Sequence, residues 1–237
     1  MKPSKSKLTE IMHEIENFTP EWHKAGTMYP KLLWKIIEHC SNLDVTYSME
    51  TGSGVSTIVF SHISSNHNVF AVEYGNGSIS NVKKSPLFNW KTVEFIEGPT
   101  QLTLPNFKFK HKLQVALIDG PHGYPFPDME YYYIYPNLDV NALLIVDDIH
   151  IPTIHNMYEF IKADEMFDLL EVIEHTAFFR RTDSKTFPPT IDGWWMQNYN
   201  KMNLNNEDNS KKIGKNNVGF LKRFIKCLRR NKKNGKP

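Results

Sequence analysis

The sequence predicts an α/β fold in which a mostly parallel, seven-stranded sheet carries helices on both faces and ends in an antiparallel hairpin. From Val45 onward, short apolar runs ending in Gly, Asp or Glu alternate with polar or amphipathic stretches, which is typical of β-α-β units. The last two apolar runs are separated by only a few residues around Glu174. So short a link permits only antiparallel pairing, because a parallel crossover needs about a dozen residues or more.

Residues 1–44 are predicted to form an N-terminal helical cap on one side of the core. Apolar residues recur at helical spacing over 8–15, and they do so again over 32–37, after Pro30. The chain of 237 residues, 40% of them apolar, is long enough to bury one substantial core.

Residues 45–200 are predicted to form the main domain. Its parallel strands are expected near Val45–Glu50, Val69–Glu73, Thr92–Ile96, Leu113–Asp119 and Ala142–Asp147. The helices between them are expected to begin near Ser56, Ser78 and Asp128, with a longer one from Ile154 to about Ala163. The hairpin strands are expected at Leu169–Ile173 and Ala177–Arg180. A polar, Asn- and Lys-rich linker at 201–217 and a basic amphipathic tail at 218–237 are expected to follow.

Charge is divided unevenly along the chain. The 28 Lys and Arg and the 26 Asp and Glu give a net charge of +2, but residues 211–237 hold 11 basic residues and no acidic one. The rest of the chain therefore carries a net charge of −9. Nucleic acid is not the expected main substrate, because a body of that charge would repel it.

The basic tail also places five large apolar residues on one helical face. This pattern favours peripheral contact of 218–233 with an anionic membrane surface. Docking of this segment on the acidic body of its own chain, or of a second copy in a homodimer, stays open as an alternative.

The composition excludes several classes of protein. The longest aliphatic run of the body, Ala142–Val146, falls far short of the roughly 20 apolar residues that cross a bilayer. The N-terminus shows no apolar export signal, and two cysteines cannot build a disulfide framework or a cysteine-based zinc site. We therefore expect a cytoplasmic protein whose membrane contact, if it has one, is peripheral and at the inner face.

A glycine loop follows the first predicted strand and opens a helix. Its sequence is Glu50-Thr51-Gly52-Ser53-Gly54-Val55-Ser56-Thr57. The glycines allow a tight turn and a close approach of ligand to backbone, and free amides at the helix start favour electronegative groups. Glu73 lies 21 residues after Gly52, which is about the spacing at which an acid binds a ribose diol. The loop therefore predicts a nucleoside-containing cofactor.

Two kinds of nucleoside-containing cofactor could bind this loop: a dinucleotide, or a cofactor with a cationic group. A dinucleotide fold prefers Gly or Ala where this chain has Thr57. Glu50 would repel a pyrophosphate, whereas it suits a cationic ligand. A nicotinamide-dependent oxidoreductase nevertheless stays open as an alternative function.

Acidic residues and histidines follow the fourth and fifth predicted strands. They are Asp119 and His122 after the fourth, and Asp147, Asp148 and His150 after the fifth. Ligands of open parallel sheets bind beyond the carboxyl ends of the strands, so these side chains are expected to converge. Such a cluster could bind a hard cation such as Mg²⁺, or His122 could act as a general base.

These motifs resemble those of the class I S-adenosylmethionine-dependent methyltransferases, whose fold is Rossmann-like. The Glu50–Thr57 segment is similar to motif I of that family, and Glu73 to its ribose-binding acid. The resemblance implies a cofactor site made by Glu50, Thr51, Gly52, Gly54, Ser56, Thr57, Glu73 and Asp119.

The endings Ile-Asp-Gly-x-His and Val-Asp-Asp also resemble a subgroup of that family. This resemblance implies catalysis by Asp119 and His122, and a divalent metal such as Mg²⁺ on Asp119, Asp147 and Asp148. It implies O-methylation of a small or glycan-like hydroxylated acceptor. Tyr131, Tyr132, Tyr133, Trp194 and Trp195 could stack on that acceptor. A non-catalytic adaptor that keeps the fold and is tethered to membrane by its tail is a further alternative.

Overall fold

The computed structural model describes residues 5–17, 28–73, 77–185 and 192–209. The chain divides into two compact units, Met1–Pro189 and Thr190–Pro237. The first unit contains the sheet and every residue that the sequence predicts for the cofactor, catalytic and metal sites. The basic tail at 218–237 lies outside the described residues.

Seven strands form one sheet in the first unit. They are β1 (Tyr47–Thr51), β2 (Asn66–Ala71), β3 (Val93–Glu97), β4 (Leu113–Ile118), β5 (Leu138–Val146), β6 (Phe167–Ile173) and β7 (Thr176–Arg181). Their order across the sheet is β3-β2-β1-β4-β5-β7-β6. The first five strands pair in parallel, and β7 runs antiparallel to both β5 and β6. The predicted fold class is therefore confirmed.

Seven helices of the first unit and one of the second are described. They are α1 (Lys5–Asn17), α2 (Pro30–Ser41), α3 (Val55–Ile63), α4 (Ser78–Lys84), α5 (Thr100–Thr103), α6 (Phe126–Ile134), α7 (Pro152–Ala163) and, in the second unit, α8 (Asn198–Asn209). Two of them, α1 and α2, are the helices that the sequence predicts within the N-terminal cap.

Strand β5 shows why both faces of the sheet are covered. Leu143 and Ile145 pack with residues of α2 and α3, whereas Leu144 and Val146 pack with residues of α6 and α7. Successive side chains of a strand point to opposite faces, so an unbroken aliphatic run is stable only where both faces are covered. Each of these side chains is fully buried, which stabilises the fold by about 1.5–3 kcal/mol per side chain.

The chain order creates a crevice at one edge of the sheet. The chain moves outward from β1 to β3 and then returns to place β4 on the other side of β1. At the carboxyl ends of these two strands, Thr51 lies opposite Ile118. Connections that leave neighbouring strands in opposite directions open a gap between them, and ligands of such sheets bind there.

Strand β5 begins four residues earlier than the sequence predicts. Leu138 pairs with Leu113 at the start of β4 before a shift of register, and Asn141 has a φ of 66°. Asn tolerates this left-handed conformation better than most residues. The sequence pattern missed the extension because residues 139–141 are exposed and do not continue the apolar run.

The helix α8 corrects the predicted linker. Residues 201–209 continue a helix that begins at Asn198, so the linker expected over 201–217 is helical up to Asn209. Asn side chains bond back to the preceding turn, as when Asn203 donates to the carbonyl of Tyr199 at 2.7 Å. Asn usually favours turns by bonding to nearby backbone, and here its bonds lie within a helix. None of the described helices is long and apolar enough to span a bilayer.

Candidate active site

The glycine loop brings the end of β1 close to the end of β4. Gly52 has a φ of +86°, and a Cβ at this position would lie 2.4 Å from the carbonyl oxygen of Asp119. Only glycine fits there, because any side chain would meet both backbone strain and a steric clash. The loop therefore leaves the backbone of Gly52 in close contact with the first residue after β4.

The buried side chain of Glu50 stabilises this loop through hydrogen bonds. Its carboxylate accepts hydrogen bonds from Ser56 Oγ at 2.7 Å and from the hydroxyl of Thr57, and His67 Nε2 lies 3.2 Å from Oε1. Thr57 Oγ1 also accepts the backbone N–H of Gly54 at 3.1 Å. The side chain of Glu50 is 1% exposed.

The structure shows how three of the predicted cofactor-loop residues are held. Glu50, Ser56 and Thr57 are all buried, and the carboxylate of Glu50 accepts the hydroxyls of both Ser56 and Thr57. Their assignment to the cofactor site stays a prediction. These three side chains fix the conformation of the loop. Gly52 and Gly54 lie in the part of the loop that borders the crevice.

Glu73 follows β2 at the same edge of the sheet and is exposed. Its Oε2 accepts the backbone N–H groups of Ile79 at 2.8 Å and Ser80 at 3.1 Å, at the start of α4. The hydrogen bonds with Ser80, and then that with Ile79, lower the pKa of Glu73. The predicted ribose acid is thus ionised and held in place by the first amides of a helix.

Three side chains form the chemical centre of the crevice. His122 Nε2 lies 3.1 Å from Asp148 Oδ2 and 3.9 Å from Asp119 Oδ1. All three side chains are accessible, with 43% of His122, 34% of Asp119 and 32% of Asp148 exposed. The ligand atoms of the three lie within 4.8 Å of one another.

The pKa values of the groups in this cluster are shifted by their surroundings and by one another's charges. Although part of the Asp119 side chain is exposed, desolvation of its carboxyl by the surrounding protein raises its pKa to about 7; His122 opposes the shift, and the nearby Asp147 and Asp148 add to it. Asp119, and with it Asp148, raises the pKa of His122 above its ordinary value. Of these two carboxylates, Asp148 lies nearer to Nε2 and is within ion-pair distance of it. The cluster therefore holds protons that can move near neutral pH.

Asp147 belongs to the predicted metal set, which stays a prediction, but its hydrogen bonds lie outside this group of three side chains. Its Oδ1 accepts the hydroxyl of Thr176, on the neighbouring strand β7, and the backbone N–H of Asp148 at 2.9 Å. The next residue, Asp148, has a φ of 55°. In the part of the chain that the structure describes, the set that could hold a cation is Asp119, His122 and Asp148.

The donor set of that group fits a divalent cation. The group offers two carboxylates and one imidazole as ligands, and a bound metal would complete its coordination with water or substrate oxygen. Mg²⁺ prefers an all-oxygen set, whereas Mn²⁺ or Fe²⁺ accepts a mixed one.

Several residues of the crevice give no clear signal in the sequence. Thr153 donates its hydroxyl to the carbonyl of His122 and so fixes the loop after β4. The imidazoles of His150 and His175 lie with ring centroids 4.1 Å apart, and His150 Nδ1 is 3.6 Å from Asp148 Oδ1. His150 is thus in the predicted cluster, whereas His175 enters only because the hairpin turn places it there.

The structure also shows which of the predicted aromatic side chains are exposed and could contact an acceptor. Tyr131 is buried in the core and stacks on Tyr135, so it is not available to an acceptor. Tyr133 also packs against the core, whereas Tyr132 is 52% exposed. Trp194 and Trp195 belong to the second unit, where their rings make a T-shaped contact.

Comparison with known proteins places these features in context. Residues 49–149 match a family model described as a methyltransferase domain. No curated protein sequence matches the chain significantly.

Solved structures share the fold at low sequence identity. An O-methyltransferase from Bacillus cereus, solved in complex with SAH, is 16% identical with a TM-score of 0.53, over 76% of this chain and 92% of that one. The SAH-bound methyltransferase PaMTH1 from Podospora anserina is 17% identical with a TM-score of 0.53, over 76% and 89%. MycE from the mycinamycin biosynthetic pathway, solved with Mg, SAH and mycinamycin VI, is 12% identical with a TM-score of 0.50, over 79% and 57%.

Proposed function

Because this chain carries a class I S-adenosylmethionine-dependent methyltransferase domain, we propose that it methylates a hydroxyl oxygen of a small or glycan-like acceptor. The observation that carries the proposal is the position of the Asp119–His122–Asp148 cluster across the crevice from the glycine loop. The cofactor brings the activated methyl group, so the protein must align the acceptor and remove one proton.

In this proposal the proton of the acceptor goes to His122. When bound, S-adenosylmethionine supplies a methyl group on a sulfonium; the acceptor oxygen bonds to that carbon as the carbon–sulfur bond breaks. Neutral His122 accepts the proton that the acceptor hydroxyl loses. Asp148 stabilises the resulting imidazolium at 3.1 Å, and Thr153 holds the backbone of His122 in place.

A divalent metal would be held by Asp119, Asp148 and His122. Such a cation would lower the pKa of an acceptor hydroxyl bound to it. The carboxylates of the cluster support this part of the proposal, as does the Mg in the MycE structure. His122 Nε2 cannot bind a metal and accept a proton at the same time. Dialysis against a chelator followed by return of Mg²⁺ or Mn²⁺ therefore separates the two mechanisms.

Calorimetric titration of the full chain with S-adenosylhomocysteine and, separately, with NAD tests the cofactor. We expect saturable binding of S-adenosylhomocysteine and none of NAD. Binding of NAD alone would favour the oxidoreductase alternative instead.

The catalytic assignment is tested by substituting Asp119 and Asp148 separately with Ala. We expect each variant to lose turnover of a hydroxylated acceptor while most of its affinity for S-adenosylhomocysteine remains. Full turnover by either variant would remove that residue from the mechanism.

We further propose that the basic amphipathic segment 218–233 contacts an anionic membrane at its cytoplasmic face. The charge division supports this, since residues 211–237 hold 11 basic residues and no acidic one. In this arrangement the tail places the enzyme near a membrane-bound or surface-glycan acceptor.

A further inference from the structure

A buried carboxyl that the proposed mechanism does not use lies at the base of the crevice. It belongs to Glu130 of α6, whose side chain has no exposed surface. Glu130 Oε2 accepts the hydroxyl of Thr51 at 2.8 Å, and Thr51 Oγ1 accepts the backbone N–H of Asp119 at 3.0 Å. One chain of hydrogen bonds therefore connects Glu130, the last residue of β1 and the first residue after β4.

The backbone after β4 also packs directly on this carboxyl. A Cβ at Gly120 would lie 2.2 Å from Glu130 Oε1 and 2.5 Å from Oε2. Real Cβ atoms do not approach oxygen so closely, so Glu130 occupies the space that a side chain at position 120 would need. A side chain at position 120 would therefore displace the carboxyl of Glu130 from its present place.

The other carboxyl oxygen lies beside the backbone of Gly120. Glu130 Oε1 is buried and makes no hydrogen bond of good geometry with the described residues, although the nearby hydroxyl of Thr100 lowers the pKa of this carboxyl. Glu130 shares a cavity of about 10 Å³ with Asp119, His122 and Asp147. That is about the space that one water molecule needs, and a water there could pair with Oε1.

We propose that Glu130 is a positioning residue for cofactor binding, which acts through Thr51 and the backbone of residues 119–120 to set the width of the crevice. An apolar side chain would fill the same volume, but it could not accept the Thr51 hydroxyl. The glycine loop and the loop after β4 would then lose the hydrogen bonds that connect their ends. The inference rests on the cofactor site of the proposed function.

The test compares binding of S-adenosylhomocysteine by the full chain and its variants, measured by calorimetry. Glu130→Leu and Thr51→Val each remove the hydrogen bond between the two side chains. We expect each to weaken binding by about 10-fold or more, equivalent to about 1.4 kcal/mol. Glu130→Gln is expected to restore most of the affinity, because its amide oxygen accepts the same hydroxyl.

The double variant shows whether the two residues act together. If Glu130 acts through Thr51, Glu130→Leu combined with Thr51→Val binds no more weakly than the worse single variant. Thr103→Val is the matched control, because it removes a half-buried hydroxyl whose hydrogen bond within the described residues is local, to the carbonyl of Pro99. We expect this control to bind as the wild type does.

Three results would overturn the inference. One is wild-type affinity in Glu130→Leu with a lowered melting temperature, which would show a role in stability alone. Another is a double variant whose loss equals the sum of the two single losses. If Glu130→Leu does not fold, Thr51→Val decides, and wild-type affinity in that variant is the third. Failure of the wild-type chain itself to bind S-adenosylhomocysteine would instead refute the proposed function.

Discussion

Glu130 should make the stability of this protein depend on pH in an unusual direction. Burial raises the pKa of its carboxyl from an ordinary value of 4.5 to about 7; the hydroxyls of Thr100 and Thr51 oppose the shift, and Asp119 adds to it. The folded protein therefore binds a proton at Glu130 that the unfolded chain has already released between these two pH values. Stability must then fall as pH rises through this range, since stability rises with pH only where the unfolded state binds more protons.

The size of the effect follows from the same shift. A change from 4.5 to about 7 corresponds to about 3 kcal/mol, at roughly 1.4 kcal/mol per pH unit. No reduction for solvent screening is needed, because the side chain has no exposed surface. We therefore expect Glu130 to reduce the free energy of unfolding by up to about 3 kcal/mol between pH 4.5 and pH 7.5.

The assay is urea unfolding at pH 5, 6, 7 and 8, applied to the wild type and to Glu130→Gln. The amide cannot ionise, so the variant should lose less stability than the wild type as the pH rises. Glu14→Gln, at an exposed position of α1, is the control and should follow the wild type. Equal pH dependence in the wild type and Glu130→Gln would refute the reasoning.

Three further predictions concern the loop, the cluster and the tail. Gly52→Ala should lower stability by about 1–3 kcal/mol and weaken binding of S-adenosylhomocysteine, because a Cβ there meets the carbonyl of Asp119. Thermal unfolding measures the stability and calorimetry measures the binding. A variant with unchanged stability and affinity would contradict the loop geometry. His122→Asn should lower kcat by about 10²–10⁴-fold with an unchanged Kd for S-adenosylhomocysteine, and a near-normal kcat would rule out a general-base role. Deletion of residues 211–237 should abolish sedimentation with anionic vesicles while the remaining chain still binds S-adenosylhomocysteine, and retained sedimentation would refute the proposed membrane contact.

Hydrophobic pattern alone was sufficient to predict the sheet. The apolar run at Ala142–Val146 can be stable only inside a strand that is covered on both faces, and the short link around Glu174 allows only a hairpin. Exposed residues carry no such signal, which is why the pattern missed the first residues of β5 and the helical start of the predicted linker.

Hydrogen-bond partners could not be predicted in the same way. The sequence places Glu50 and Asp147 at the ends of strands beside the crevice, and both do lie there. Their carboxylates nevertheless turn inward, Glu50 to Ser56 and Thr57 and Asp147 to Thr176. A strand end fixes where a residue lies, but the side chains brought near it from distant parts of the chain decide what it can bind.

The sequence by itself determined the fold class, the edge of the sheet at which the site lies and the chemical types gathered there, because hydrophobic period and glycine position are local properties. Only the tertiary structure decided that His122 lies with Asp119 and Asp148 in one group, and that Glu130 packs against Gly120 between them. Those contacts join residues that follow separate strands or lie on a helix. They depend on the pairing of β4 with β5 and on the packing of α6 against β4, which no spacing within one segment records.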